Sequence, residues 1–108
     1  MVRIVVWTEQ ADSDMEQIVA YWSSISENSV RLQTKRIFEK IDLILAFPQS
    51  GRVVPEMGHP KIREHIVGHY RLVYYIVSEQ RIVMVHNAAR PLEVNDFNWP
   101  AEIWAQPP

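Results

Sequence analysis

The chain has 108 residues, 47% of them hydrophobic and 22% charged, and eleven Lys and Arg against thirteen Asp and Glu give a net charge of -2. That is the mixture of one globular domain, and it excludes both a largely disordered chain and a strongly basic nucleic-acid binder. With no cysteine at all, a disulfide framework, a thiolate metal site and a cysteine nucleophile are excluded as well.

Val2 to Trp7 is β-branched and aromatic, so a short strand is expected there. The apolar run after Arg3 is too short for a signal-peptide core, and no run reaches the ~20 residues of a membrane helix. Thr8 can cap a helix, with Glu9, Asp12 and Asp14 near the positive end of its dipole. Ala11, Met15, Ile18, Val19, Trp22 and Ile25 recur at helical spacing and read as a core-facing stripe.

Ser26 to Ser29 is a polar break that can cap a second helix, whose apolar positions from Val30 are Ile37, Phe38, Ile41, Ile44 and Leu45. This helix must stop near Phe47, because Pro48 disfavours helical geometry in the residue before it. Arg31, Lys35, Arg36, Glu39, Lys40 and Asp42 fall mostly on its solvated side. A tight link between two amphipathic helices predicts an antiparallel hairpin. Residues 48–61 hold three prolines and two glycines and read as a polar loop, long for a compact domain and therefore a place to look for function.

Three strands follow. Ile62 to Val67 puts Arg63 and His65 on one face and Ile62, Glu64 and Ile66 on the other. Gly68 and His69 form a tight turn. Tyr70 to Val77 is the strongest strand signal, and Arg81 to His86 is the third strand. The fold class is therefore α+β: a short N-terminal strand, a helical hairpin and a three-stranded antiparallel meander with the helices on one face. One domain spans 1–98, and a tail with Trp99, Ile103 and Trp104 spans 99–108. Trp22, Phe38, Ile41 and Tyr74 are expected in the core.

No phosphate loop, nucleotide fingerprint or metalloprotease motif is present. His59, His65, His69 and His86 match no ligand spacing, so no metal or other cofactor is expected. Ser50 and Ser78 read as turn residues. The better signal is a set of cations at or near strand ends: Arg63, His65, Arg71 and Arg90. Arg71 lies inside an otherwise apolar strand, where a guanidinium must find a carboxylate, a carbonyl or water. It either pairs internally with an acid such as Glu64 or faces a groove for phosphate or an acidic partner.

The segment Ile62-Arg63-Glu64-His65-Ile66-Val67-Gly68-His69-Tyr70-Arg71-Leu72-Val73-Tyr74 resembles the Arg-Glu-x-x-Val-Gly-x-Tyr-Arg-x-x-Tyr signature of ParE/RelE-type toxins. Trp7 to Trp22 resembles the first helix of that superfamily. Phe47-Pro48-Gln49-Ser50-Gly51-Arg52 resembles its Phe-Pro-x-x-Gly-Arg, and Val85-His86 followed by Arg90 resembles its Val-x-His-x-x-Arg. The resemblance covers residues 2 to about 97 and implies the same strand, hairpin and meander. It also implies the toxin half of a type II toxin–antitoxin module in the bacterial cytoplasm, a role in plasmid maintenance or stress, and a cognate antitoxin as partner. Arg63, His65, Arg71 and Arg90 are the partner-binding residues on this reading.

Two activities are known on this fold, and fold alone does not choose between them. ParE-like members inhibit DNA gyrase and cut nothing; RelE-like members cut mRNA in the ribosome. The net charge of -2 suits RNA poorly. RelE-like nucleases also carry a tyrosine near the C-terminus, whereas here no tyrosine follows Tyr75 and Phe97 stands near that place. A nuclease built on this chain would use His86, Arg63, Arg71 and Arg90. The motifs are more ParE-like, so a gyrase inhibitor rather than an enzyme is expected. Asn87-Ala88-Ala89 replaces the usual small-then-basic run, which leaves a non-toxic, antitoxin-binding relative as a third reading.

Overall fold

A computed structural model describes residues 4–5, 7–76, 81–82 and 86–87, with side chains at 5 and 7–76. In chain order the elements are β1 (Ile4–Val5), α1 (Glu9–Ile25), α2 (Glu27–Ala46), a 3-10 turn (Pro48–Ser50), β2 (Arg52–Val53), β3 (Ile62–Val67), β4 (Tyr70–Tyr75), β5 (Arg81–Ile82) and β6 (His86–Asn87). The expected tail, the turn at Ser78 to Gln80 and Arg90 lie outside the described residues, as does the side chain of His86. No described helix is long and apolar enough to cross a membrane.

Local chemistry sets the helix ends. Thr8 Oγ1 accepts from the Ala11 N–H at 3.1 Å, which satisfies one orphan donor of α1. Ser26 alone separates the helices: its N–H donates to the Trp22 carbonyl, and its Oγ accepts from the Ser29 N–H at 3.0 Å. The second helix therefore starts at Glu27, ahead of the expected Val30. It ends at Ala46, one residue short of Phe47 and the proline after it.

The main sheet has strand order β2-β3-β4-β6, antiparallel throughout. Val67 pairs with Tyr70 around a two-residue turn, where Gly68 takes a φ of 57° that suits glycine. The stretch expected as the third strand serves two neighbours: its start, β5, pairs in parallel with β1, and β6 pairs with β4. The expected α+β layout is found.

Strand periodicity sends Val67, Tyr70, Leu72 and Tyr74 to the helix side, where they join Ile18, Ile37 and Ile44 in the core. Met15, Trp22, Ile41 and Leu45 pack partly buried against that cluster. Trp22 also donates its indole N–H to the Tyr70 hydroxyl at 2.6 Å.

Phe38 is not core: it is 50% exposed and lies 6.3 Å from the Trp7 ring, centroid to centroid. Val19 and Ile25 of the α1 stripe are exposed too. The reason is helical geometry. Consecutive residues point about 100° apart, so in the pairs Ile18–Val19 and Ile37–Phe38 only one member can meet the sheet.

Residues 48–61 are also not a featureless loop. They hold the 3-10 turn and β2, which pairs Arg52 with Glu64 and Val53 with Arg63. The rest of this segment covers the sheet's second face, where Val54, Ile62, Val73 and Tyr75 are buried and the His59 ring lies 5.5 Å from that of Tyr75.

Candidate functional site

The β3 and β4 ladder separates the predicted cations instead of gathering them. Arg63 and His65 alternate onto the helix side, while Arg71 points to the other face with Glu64 and Ile66. Arg63 and Arg71 therefore do not share a surface. Arg90 lies outside the described residues, and His86 is placed only as the backbone partner of Arg71.

On the helix side the Phe-Pro-x-x-Gly-Arg segment is clamped by Tyr74. The Tyr74 hydroxyl donates to the Pro48 carbonyl and accepts from the Gly51 N–H at 3.1 Å. Gly51 has to be glycine, because a Cβ there would lie 2.6 Å from both the Glu64 carbonyl oxygen and the Tyr74 hydroxyl. Burial pushes the Tyr74 phenol above its ordinary range, against the Gly51 N–H and the nearby Arg63 charge, which act to lower it.

Arg63 holds the same segment. Its Nε donates to the Pro60 carbonyl at 3.0 Å, and its Nη1 donates to the carbonyls of Gly51 at 2.9 Å and Gln49 at 3.4 Å. All three acceptors are neutral carbonyls, which fix the guanidinium as a loop brace.

His65 Nε2 and Ser50 Oγ share a hydrogen bond of 2.8 Å, and the imidazole lies parallel to the Tyr74 ring with centroids 6.4 Å apart. Burial, followed by the Lys40 charge, pushes His65 below its ordinary 6.5, which favours the neutral ring at neutral pH. A serine and a neutral histidine resemble a nucleophile and base. The two nearest amides are spent elsewhere, however: the Ser50 N–H donates to the Phe47 carbonyl and the Gly51 N–H donates to Tyr74. Neither is left to stabilise an oxyanion.

On the far side Arg71 is fully engaged. Its Nε donates to Glu64 Oε1 at 2.6 Å, its Nη2 also pairs with that oxygen, and its Nη1 and Nη2 reach Glu56 Oε2 and Oε1 at 2.7 and 3.1 Å. Arg52 completes the cluster, with Nε and Nη2 each 2.7 Å from Glu64 Oε2. Two guanidiniums thus compensate the buried Glu64 carboxylate, as its burial requires. The hydrogen bonds from Arg71 hold the Glu56 carboxyl below its ordinary range, against a smaller opposing effect of burial. The hydrogen bonds from Glu56 in turn raise Arg71 further.

Of the two sequence-level alternatives for Arg71, the internal ion pair with Glu64 is the one formed. Sequence reasoning missed Ser50 as the partner of His65, and it missed Arg52 and Glu56 as members of the cluster. Only Arg52 left a usable trace, as a basic residue just after the Gly51 that the motif demands.

Among known proteins, no curated relative matches the chain. The family model of the ParE toxin of type II toxin–antitoxin systems, parDE, matches residues 5–86, a span that takes in the hairpin, the clamp at Gly51 and the strands bearing Glu64 and Arg71. The chain therefore belongs to the ParE toxin family, as a toxin of the type II toxin–antitoxin class for which membership implies an antitoxin partner.

Proposed function

We propose that this chain acts in the bacterial cytoplasm as a binding inhibitor of DNA gyrase, and that a cognate antitoxin wraps and silences it. The observation that supports this over an RNA-cutting role is the disposition of the cations. Cutting RNA through its 2′-OH calls for a base and several cations converging on one phosphate. Arg63 and Arg71 lie on opposite faces of the sheet, and each is already committed, one to backbone carbonyls and the other to two carboxylates. A protein that works by binding needs no such convergence. On this reading Arg63, His65, Arg71 and Arg90 contribute to partner recognition, and plasmid maintenance or stress is the setting.

The test is the purified chain in a gyrase supercoiling assay, run beside mRNA cleavage on translating ribosomes. Lost supercoiling or trapped cleaved DNA with intact mRNA supports the proposal. Cut mRNA with active gyrase overturns it.

A further inference from the structure

The cluster on the far face of the sheet has two unequal halves. Its inner half is structural: Glu64 belongs to β3, is 1% exposed and sits between Arg52 and Arg71. Its outer half is a single contact. Glu56 lies at the turn that follows β2, closed by the Met57 and Gly58 N–H groups on the Val54 carbonyl. The Glu56 side chain is 36% exposed, and both its oxygens take the outer edge of the Arg71 guanidinium. This fork-on-fork arrangement is how arginine recognises a carboxylate. Water reaches the Glu56 side of this pair, whereas the Glu64 side is sealed, so the outer contact is the more readily exchanged of the two.

The surroundings suit a peptide. Ile66 stands opposite Arg71 in the ladder, on the same face, and is half exposed. Arg52 lies on the other side of Glu64, and its side chain is largely exposed. An apolar contact and a second cation therefore flank the fork, which favours an acidic peptide side chain over free inorganic phosphate.

We propose that Arg71 is a carboxylate-binding site for an acidic segment of a protein partner, and that Glu56 is the intramolecular occupant which that carboxylate displaces. The proposal rests on the reading of Arg71 as a partner-binding residue. Glu64 stays in place throughout the exchange and keeps the guanidinium aimed outward.

The experiment follows the Arg71 Nε–H resonance of the 15N-labelled full chain during titration with N-acetylglutamate. Inorganic phosphate and chloride at matched ionic strength serve as comparison arms. In Glu56→Gln, saturation is expected at a concentration about fivefold or more below that of the unaltered chain, because the competing pair is gone. Phosphate should be weaker, and Arg71→Lys in the same background should abolish the saturable shift. Equal titration of Glu56→Gln and the unaltered chain overturns the proposal, and so does an equal response to chloride or a preference for phosphate. Loss of the folded spectrum in both Glu56→Gln and Glu56→Ala overturns it too, since the contact would then be holding the fold. If the probe binds while Arg71→Lys leaves antitoxin and gyrase affinity unchanged, only the partner reading fails.

Discussion

Arg71 reaches Glu64 diagonally across the β3–β4 ladder, its Nε donating at 2.6 Å to a carboxylate that is 1% exposed. Removing that negative charge takes the inner partner from Arg71, whose own side chain is only 14% exposed, and leaves its Nε–H without an ionic acceptor. Glu64→Gln is therefore expected to destabilise the chain by about 3–5 kcal/mol. Arg52→Ala, at a largely exposed side chain, should cost less than about 1 kcal/mol. Urea unfolding of the two variants measures both, and a Glu64→Gln loss no larger than that of Arg52→Ala would sink the account of the cluster. The same geometry means that Arg71→Ala perturbs the fold before it reports on any partner, so Arg71→Lys is the better functional probe.

The Tyr74 hydroxyl serves two backbone groups at once, the Pro48 carbonyl and the Gly51 N–H. Tyr74→Phe strands both, and a loss of about 1–3 kcal/mol is expected for the unpaired groups. Gly51→Ala should cost a similar roughly 1–3 kcal/mol through the close contacts of its new Cβ. Thermal unfolding decides the matter, and a neutral Tyr74→Phe would show that water replaces the clamp.

Helix orientation gives a third prediction. Ile37 is fully buried, whereas its neighbour Phe38 is 50% exposed. Ile37→Ala should destabilise by about 2–5 kcal/mol. Phe38→Ala should cost less than about half of that, because most of the apolar area it loses was never buried. The reverse order would mean that α2 is rotated about its axis.

What the sequence made legible was mostly local. Thr8 and Ser26 act as caps because a short oxygen-bearing side chain finds an amide only three residues ahead. The face alternation of β3 and β4 followed from period two, and it made Glu64 the natural partner for Arg71. Relationships set by tertiary register were not legible. β2 is two residues long, and its pairing of Arg52 with Glu64 appears only once an edge strand is laid against β3. Ser50 meets His65 for the same reason, across fifteen residues of chain. Glu56 looked like one more polar loop residue until the turn carried it to Arg71. Phe38 misled because adjacent apolar residues both fit a broad helical stripe, although only one can face the sheet.

Acid should weaken the fold in two stages. Burial and the Lys40 charge hold His65 below its ordinary 6.5, and the Arg71 hydrogen bonds hold Glu56 below its ordinary 4.5. In both cases the unfolded chain binds the proton more readily, so stability rises with pH and falls as pH drops. The His65 contribution is present above 6.5 and is lost as pH falls through its lowered value, and the Glu56 contribution behaves likewise starting from 4.5. Tyr74 lies outside this range: raised above 10.0, its contribution is lost only in strong base. Melting temperature against pH should lose its upper stage in His65→Gln and its lower stage in Glu56→Gln. Profiles unchanged by both substitutions would contradict these assignments.

The central claim is that this ParE-family chain inhibits by binding and does not cut RNA. The most direct test adds the purified full chain to gyrase with relaxed plasmid, and in parallel to translating ribosomes carrying labelled mRNA. The account predicts blocked supercoiling or trapped double-strand breaks, intact mRNA, and restoration of supercoiling by the cognate antitoxin. Cleaved mRNA beside fully active gyrase would contradict it.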